Sequence, residues 1–385
     1  MKKHLLIFSL SVLTLYGNSI LSKNRIELLD LSTKKIQTDS NTLKKNLISP
    51  IFYTYTYSHD DTTGTIKTST ISISQPIFKS GGIYSAIKYS NNIKTTNDIA
   101  IDIQKKELVL KALNIAYNIQ KLKLQIKKQK LLIQNTTIDV KNKKESVFNG
   151  LLDIAFLNNA VINLNNQKAS LLELKYNKNK LLLDFQTLSD IDLDNYILPV
   201  FTMISNESFI KDNIYIKQQQ SKIKTQKNLK WINTSKYLPS VNLNYSKTIN
   251  HTYDTDNNKY GFNIQIPLNI TAFDDIESNK LAYLKTKKEL EIIKTEQNNF
   301  FKEKILKLKF IDSKIQLSLE NIKIYDQLVQ QTKELVSIGD KTQDDVLVLQ
   351  NSLQQDKINI EIDKIDKQLE LLEIFSKINK DLSIK

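Results

Sequence analysis

The sequence lacks cysteine and is poor in residues that interrupt helices. Its 385 residues include 5 prolines, 7 glycines and no cysteine. The absence of cysteine excludes a disulfide framework and a lipid-attachment cysteine. The scarcity of proline and glycine, in a chain dominated by Lys, Ile, Leu and Asn, favours long helices over ordinary globular domains. Each remaining proline or glycine is therefore expected to mark a structural boundary.

Arginine is also nearly absent, although the chain is basic. Arg25 is the one arginine, and the formal net charge is +14 with a pI near 9.4. The lysines are spread among 41 acidic residues and form no basic block. A nucleic-acid surface needs clustered basic residues, so we expect no nucleic-acid partner.

Long hydrophobic runs are missing except at the N-terminus. There Lys2 and Lys3 precede the apolar run 5–16, and Gly17 and Ser19 supply small residues. This pattern predicts a signal peptide over residues 1–19, with an uncleaved interfacial anchor as the alternative. No later stretch has 18 consecutive apolar residues. We therefore expect an exported chain that is periplasmic, secreted, or inserted in an outer membrane through strands.

The few helix breakers recur about 190 residues apart. The recurring residues are Pro50 and Pro239, Pro76 and Pro267, and Gly150 and Gly339. They divide the chain into two repeats, 20–198 and 199–385. Each repeat is predicted to hold a strand hairpin (51–75 and 241–266) followed by a long helical hairpin with its tip near Gly150 or Gly339. The stretch before Pro50 is shorter than its counterpart 205–237, which predicts a truncated first helix.

The strand segments alternate polar and apolar residues. Tyr53, Tyr55 and Tyr57 alternate with threonines, and the connections 58–67 and 250–259 are expected to be polar loops. An uncharged polar face opposite an aromatic face is typical of transmembrane barrel strands. Four strands cannot close a barrel, and open edges cannot lie in lipid, so several chains would have to share one barrel. The alternative is two small hairpins on a soluble protein.

The predicted helices carry apolar residues at heptad spacing, which indicates coiled-coil seams. A helix over residues 80–148 would be ~105 Å long, which predicts a rod or tube. The seam residues are Leu108, Ala112, Ile115, Ile119, Leu122, Ile126 and Ile133 in one helix and Phe301, Ile305, Leu308, Ile315, Leu319, Ile322 and Val329 in another, with Ile358, Ile362, Ile365, Leu369 and Leu372 in the last.

At each helical tip a glycine precedes a helix-capping residue by three positions. Asp153 follows Gly150, and Thr342 follows Gly339. Glycine reverses the chain at little steric cost, and Asp or Thr accepts hydrogen bonds from the first N–H groups of the returning helix. Turn chemistry alone accounts for both glycines, but the shared spacing indicates that the tips are equivalent.

These features resemble the TolC-type outer-membrane efflux proteins. The segment 339–347 is similar to the family's second tip, with Gly339, then Thr342, then Asp345 and the following Val-Leu. The segments 238–243 and 262–268 are similar to its proline-led and proline-ended strands. The resemblance covers nearly all of the chain after the signal peptide.

The resemblance implies an α+β fold: a trimeric outer-membrane β-barrel with four strands per chain, continuous with a long α-helical coiled-coil periplasmic tube. It implies a passive exit duct of a tripartite efflux or type I secretion system, located in the outer membrane and extending into the periplasm. The implied partners are two further copies of the chain, outer-membrane lipid, a periplasmic adaptor (membrane fusion) protein, and an inner-membrane efflux pump or ABC exporter. It implies neither catalysis nor a cofactor.

The resemblance also implies two groups of site residues. Asp345 corresponds to an acidic constriction at the periplasmic entrance, but Val348 and Phe156 stand where the family has further acids. Lys341 stands where the family can have an arginine that holds the entrance closed through an acidic partner, and Phe156 occupies the position of that partner. The tip residues that would contact the adaptor are Gly150, Leu151, Asp153, Gly339, Asp340 and Thr342.

Two other classes of protein remain as alternatives. A periplasmic or cell-surface coiled-coil protein, structural or adhesive, would have the helices without a pore, but it has no need of two equivalent strand hairpins. A hydrolase is poorly supported, because His59 and His251 lie in segments that read as polar loops. The set that could bind a cation there comprises Asp60, Asp61, His251, Asp254 and Asp256, and it is also consistent with a solvated rim.

Overall fold

A computed structural model describes residues 20–62 and 64–379. The signal peptide predicted over residues 1–19 lies outside this range. The elements in chain order are helix α1 (Lys23–Lys45), strands β1 (Phe52–Asp60) and β2 (Gly64–Phe78), helices α2 (Gly82–Phe148), α3 (Ile154–Gln186), α4 (Asn206–Asp212) and α5 (Ile214–Thr234), strands β3 (Ser240–Asn250) and β4 (Thr255–Gln265), and helices α6 (Ala272–Ser337) and α7 (Gln343–Ser376).

The chain divides into two compact units. Of the described residues, unit 1 comprises 20–27, 105–212 and 298–379, and unit 2 comprises 28–62, 64–104 and 213–297. Helices α2 and α6 contribute residues to both units. Among the described helices, none is both long enough and apolar enough to cross a membrane.

Unit 2 contains one antiparallel sheet with the strand order β1-β2-β3-β4. The first hairpin has β1 ending at Asp60 and β2 beginning at Gly64, and the second closes at residues 251–254, so the long loops predicted over 58–67 and 250–259 are wrong. The loop prediction rests on the polarity of those segments. Pairing between strands satisfies the backbone N–H and C=O groups whatever the side chains are. The polar residues Ser58, His59 and Thr65 therefore lie in paired strands that continue to the turn.

The helices of unit 2 pack through short polar side chains. Hydroxyl groups of Ser40 in α1 and Ser90 in α2 are 3.0 Å apart, and Thr96 of α2 lies 2.8 Å from Ser221 of α5. In the next pair, Gln219 of α5 donates to the Thr286 carbonyl of α6 over 3.0 Å. These contacts join α1, α2, α5 and α6 side by side.

Helix α1 is not truncated, contrary to the expectation. It has 23 residues and α5 has 21. The second half instead has an additional short helix, α4, before α5. The difference in segment length reflects this added element rather than a loss from α1.

Unit 1 is helical, with an aromatic core and heptad seams. The Phe209 ring lies 4.9 Å from the Phe301 ring, and the Phe201 ring 5.2 Å from Phe375. Along α6 the positions 301, 304, 308, 311, 315 and 318 are buried or half-buried at alternating steps of three and four. The expected seam was partly wrong: Leu319 is 40% exposed, and Ser318 is buried in its place. Hydrophobicity had suggested Leu319, whereas the heptad step selects Ser318.

The seam of α2 follows the expected spacing. Ala112, Ile119 and Gln129 are buried. The Gln129 amide donates to the backbone carbonyl and the side-chain oxygen of Gln167 in α3, over 3.0 and 2.7 Å. This pairing explains how a polar residue occupies position 129, between the apolar seam residues Ile126 and Ile133.

Candidate functional site

One face of the sheet is polar along most of its length, and it carries one lysine, Lys259, opposite Ser246. The Thr70 and Thr248 hydroxyls are 3.1 Å apart, and the Asn244 side chain accepts from Ser74 over 2.6 Å and donates to Asn263 over 2.8 Å. Residues sharing this face by register include Thr54, Thr56, Thr68, Thr70, Ser72, Ser74, Asn244, Ser246, Thr248, Asn250, Asn257 and Asn263. Such a hydroxyl and amide surface is suited to contact with water.

The opposite face is apolar and aromatic over the half of the sheet nearest the helices. Cross-strand neighbours there include Tyr245 and Tyr260, and Leu243 and Phe262. These side chains are exposed, with Phe262 at 71%. An exposed apolar sheet face is unfavourable in water and is typical of strands that face lipid. The alternation expected from the sequence is therefore confirmed by the register.

The apolar face becomes polar towards the hairpin turns. Lys247 pairs with Asp256 over 3.5 Å, and His251 Nε2 lies 2.8 Å from the Ser69 hydroxyl. These pairings use two members of the candidate cation set. Across residues 20–62 and 64–379, no cluster of three or more His, Asp or Glu residues could hold a metal ion.

The two outer strands leave the sheet with open edges. In this chain β1 pairs with β2 alone and β4 pairs with β3 alone. Each outer strand therefore presents a row of backbone N–H and C=O groups that this sheet does not pair. A sheet with an apolar face and open edges is complete in a membrane only when further strands pair with those edges.

The two helical tips close with the same backbone hydrogen bonds. Gly150 and Gly339 have positive φ angles of 67° and 85°. At the first tip Gly150 N donates to the Val147 carbonyl and Leu151 N to the Ser146 carbonyl. Residues 339 and 340 donate in the same pattern at the second tip. This arrangement is a Schellman motif, which needs a glycine or asparagine at the left-handed position.

The returning helices begin with side-chain caps. Asp153 Oδ1 accepts from Ala155 N over 2.8 Å. Thr342 and Asp345 form a reciprocal capping box, in which Asp345 N donates to the Thr342 hydroxyl over 3.3 Å and Thr342 N donates to Asp345 Oδ2 over 2.9 Å. Hydrogen bonds from the Thr342 backbone and hydroxyl lower the pKa of Asp345, with Lys341 adding a smaller effect. Asp345 is thus a negatively charged cap at the start of α7.

The other expected site residues lie at or beside these tips. Lys341, Gly339 and Asp340 are exposed, Val348 is half-buried, and Phe156 is exposed on the first turn of α3. Leu151 is 77% exposed. Sequence reasoning missed Asp344, which pairs with Lys141 of α2 over 2.8 Å. The sequence signals Asp344 through its position beside Asp345 alone. Its partner Lys141 lies 203 residues away in the chain, so no local pattern indicates the pair.

A buried charge cluster in unit 1 was also missed. Lys304 of α6 is 6% exposed and binds Glu370 of α7 over 2.8 Å and also Glu373, while Lys307 binds Glu370 over 2.6 Å. Burial opposes the charge on Lys304 and on Glu370. The hydrogen bonds outweigh it, so the pKa of Lys304 is raised and that of Glu370 is lowered. Both groups are charged, and each satisfies the other within the α6–α7 seam.

Comparison with known proteins gives matches by structure. No protein-family model matches the sequence, and no curated protein matches it. The fold matches the Campylobacter jejuni CmeC outer membrane channel with a TM-score of 0.75 at 13% identity, covering 94% of this chain and 86% of that one. It matches VceC from Vibrio cholerae with a TM-score of 0.75 at 12% identity, covering 93% and 94%.

The open state of the Neisseria gonorrhoeae MtrE outer membrane channel also matches, with a TM-score of 0.67 at 10% identity, covering 91% of this chain and 85% of that one. Each of these three matches extends over more than nine-tenths of this chain. The chain therefore has the fold of the TolC-type outer-membrane channels, as the resemblance in its sequence predicts.

Proposed function

We propose that the protein is a passive exit duct of the outer membrane that extends into the periplasm and serves a tripartite efflux or type I secretion system. The two-faced sheet with open edges carries this proposal. Its apolar face suits lipid, and its Thr, Ser and Asn face suits a water-filled lumen. The duct performs no reaction, so it needs no catalytic residue and no cofactor.

The open edges support a trimer. Three copies would contribute 12 strands, and pairing β1 of one copy with β4 of the next would leave no edge in the membrane. We expect the protein from outer-membrane fractions to have the mass of three chains in mild detergent and to conduct ions in planar bilayers. A soluble monomer without conductance would refute the duct and favour a coiled-coil scaffold, which does not account for the exposed apolar face.

Asp345 and Lys341 are proposed to lie at the periplasmic gate, with Val348 and Phe156 weakening its acidic character. Because Asp345 also caps α7, its charge and its cap must be separated. Asp345→Asn removes the charge and keeps an acceptor, whereas Thr342→Val keeps the charge of Asp345 and removes the hydroxyl that accepts from Asp345 N. We expect single-channel conductance or cation block to change for Asp345→Asn and to be unchanged for Thr342→Val. Equal behaviour of the two variants would remove Asp345 from the gate.

The tips are also proposed as the docking site for a periplasmic adaptor that couples the duct to an inner-membrane pump or ABC exporter. Gly150, Leu151, Asp153, Gly339, Asp340 and Thr342 form these tips, and Leu151 is exposed. Because the chain has no cysteine, single cysteines at Leu151 or Asp340 can be crosslinked without a background. We expect crosslinks to an adaptor co-expressed from the same genome. Crosslinks solely between copies of the duct would argue against docking here.

A further inference from the structure

Unit 2 contains an open groove where β2 passes into α2 and α5 leads towards β3. Its volume is about 660 Å³. We call it the lysine groove, defined by Tyr84 and Lys88 of α2 and by Lys224, Lys227 and Trp231 of α5. Ser85 and the side-chain amides of residues 91, 92 and 228 complete its wall with neutral polar groups.

The groove concentrates unpaired positive charge. Lys88, Lys224 and Lys227 are exposed, and no Asp or Glu lines the groove. Among the ion pairs of the described residues, none involves these three lysines, whereas many other lysines in the chain are paired. Lys88 Nζ lies 4.4 Å from the centre of the Tyr84 ring, a cation–π contact that keeps the ammonium group beside the groove. Three ammonium groups with amide and hydroxyl donors between them are complementary to a phosphate.

The groove lies close to the ends of the strands. Tyr84 is two residues into α2, and Lys88 is ~9 Å along the helix from its start. On α5, Trp231 is ~5 Å and Lys227 is ~10 Å from the end that leads to β3. Side chains of α2 lean towards its N-terminus and therefore towards the strands, whereas those of α5 lean away from the strands. Along both helices, the aromatic residue lies nearer the strands and the lysine lies farther from them. A membrane interface has the same order, with a belt of aromatic residues next to the hydrocarbon and basic residues at the headgroups.

The junction above the groove is tightly joined. Ser80 donates to the Pro239 carbonyl over 2.7 Å, and a Cβ on Gly82 would lie 2.2 Å from the Ser235 hydroxyl. The start of α2 and the segment between α5 and β3 are thus held together without room for an added methyl group. The groove keeps a fixed place relative to the strands that the proposed function puts in the membrane.

We propose that the lysine groove binds the phosphate headgroup of an anionic phospholipid in the leaflet nearest the helices. This inference rests on the proposed insertion of the sheet in a membrane. Each lysine near an anionic surface strengthens binding by about fivefold. The groove therefore selects anionic over zwitterionic lipid and ties the strand–helix junction to the membrane.

The one tryptophan of the chain reports on this groove directly. Trp231 lines it, and no other tryptophan contributes to the fluorescence. The full-length protein is reconstituted in phosphatidylcholine bilayers that contain either brominated phosphatidylglycerol or brominated phosphatidylcholine at the same mole fraction. Bromine quenches tryptophan on contact. We expect phosphatidylglycerol to be enriched at Trp231 by at least about fivefold over phosphatidylcholine. Equal quenching by the two lipids would overturn the proposal.

The variants separate the groove from general charge. The triple variant Lys88→Gln, Lys224→Gln and Lys227→Gln keeps Trp231 and is expected to lose the preference. The matched control replaces three exposed lysines of α3, Lys168, Lys175 and Lys180, with glutamine and changes the net charge equally. The control is expected to keep the preference. Loss of preference in both triple variants, or in neither, would show that the groove is not the binding site.

Two further measurements distinguish a lipid phosphate from a soluble phosphate, and a failure of lipid binding from a failure of membrane insertion. Soluble glycerol phosphate is added to the reconstituted protein, and we expect it to leave the quenching by brominated phosphatidylglycerol unchanged. Displacement of the lipid at millimolar concentration would favour a soluble ligand instead. Insertion is measured separately as ion conductance. A conducting protein without lipid preference refutes this inference alone, whereas a protein that does not insert refutes the proposed function.

Discussion

At the scale of single residues, glycines are required for two different reasons at the helical tips and at the strand–helix junction. Gly150 and Gly339 adopt positive φ angles, so any side chain there would be strained although the surrounding space is open. Gly82 is the opposite case, because its φ is ordinary and its surroundings are full. A Cβ there would meet both side-chain atoms of Ser235.

We predict that Gly82→Ala separates α2 from the segment before β3 and destabilises the protein by about 1–3 kcal/mol, the range for overpacked sites. The measurement is the temperature at which the oligomer dissociates and unfolds in detergent. Gly261→Ala in β4 is the matched control, since a Cβ there has open space and no φ strain. Equal dissociation temperatures for the two variants would show that Ser235 moves aside without cost.

At the scale of elements, the α6–α7 seam combines apolar packing with buried charge. Lys304 lies between Phe301 and Leu308 in the heptad order and is matched by Glu370 of α7. Removing one member of a buried pair costs more than removing both, because the remaining charge has lost its partner. Lys307, which is half exposed, also binds Glu370, so Glu370 keeps one partner when Lys304 is removed and the cost is smaller than for a charge left alone.

We predict that Lys304→Met destabilises unit 1 by about 1–3 kcal/mol, because a buried hydrogen-bonding partner is lost while Lys307 still neutralises Glu370, and that adding Glu370→Met restores much of the loss. Denaturant unfolding of the two variants measures the difference. Lys364→Met, which removes an exposed pair with Glu361, serves as the control and should change stability by less than about 1 kcal/mol. A double variant as unstable as Lys304→Met would contradict the pairing.

The same cluster predicts how stability varies with pH. The lowered pKa of Glu370 contributes stability that is present above its unfolded value and is lost as the pH falls through its folded value. The raised pKa of Lys304 contributes stability that is present below its unfolded value and is lost as the pH rises through its folded value. We expect Lys304→Met/Glu370→Met to flatten both the acidic and the alkaline limbs of a stability curve. A curve of unchanged shape would place the titrating groups elsewhere.

At the scale of the whole molecule, the proposed assembly depends on which way the sheet faces. Phe262 lies on the apolar face and Asn263, its neighbour, lies on the polar face. A lysine facing lipid near the middle of a bilayer costs about 2–4 kcal/mol, whereas a lysine in the lumen stays hydrated. Two adjacent positions in one strand therefore test the orientation with the same substitution.

We predict that Phe262→Lys reduces insertion into lipid vesicles and that Asn263→Lys inserts normally but lowers cation conductance in planar bilayers. Insertion is measured as protection of the strands from protease, and conductance as single-channel current. Normal insertion of Phe262→Lys with altered conductance would mean that the faces are reversed. Equal effects on both readouts would show that the sheet does not separate lipid from water.

Much of the architecture followed from the sequence because local patterns carry it. The period of two in residues 52–57, the heptad spacing in α2 and the Gly-to-cap spacing at 150 and 339 each report a backbone conformation. Polarity alone was a poor guide where it was taken to mean a loop, because Ser58, His59 and Asn250 lie in paired strands. It was equally poor in the seam of α6, where Lys304 and Ser318 are buried.

The sequence by itself determined the doubled order of hairpins, the glycine turns and the two chemically distinct strand faces, since these depend on residues close together in the chain. The tertiary structure decided the contacts between residues far apart. It paired Asp344 with Lys141, matched Lys304 to Glu370, and brought Lys88 beside Lys224 and Lys227. No local periodicity encodes such partners, because their distance depends on how the helices pack.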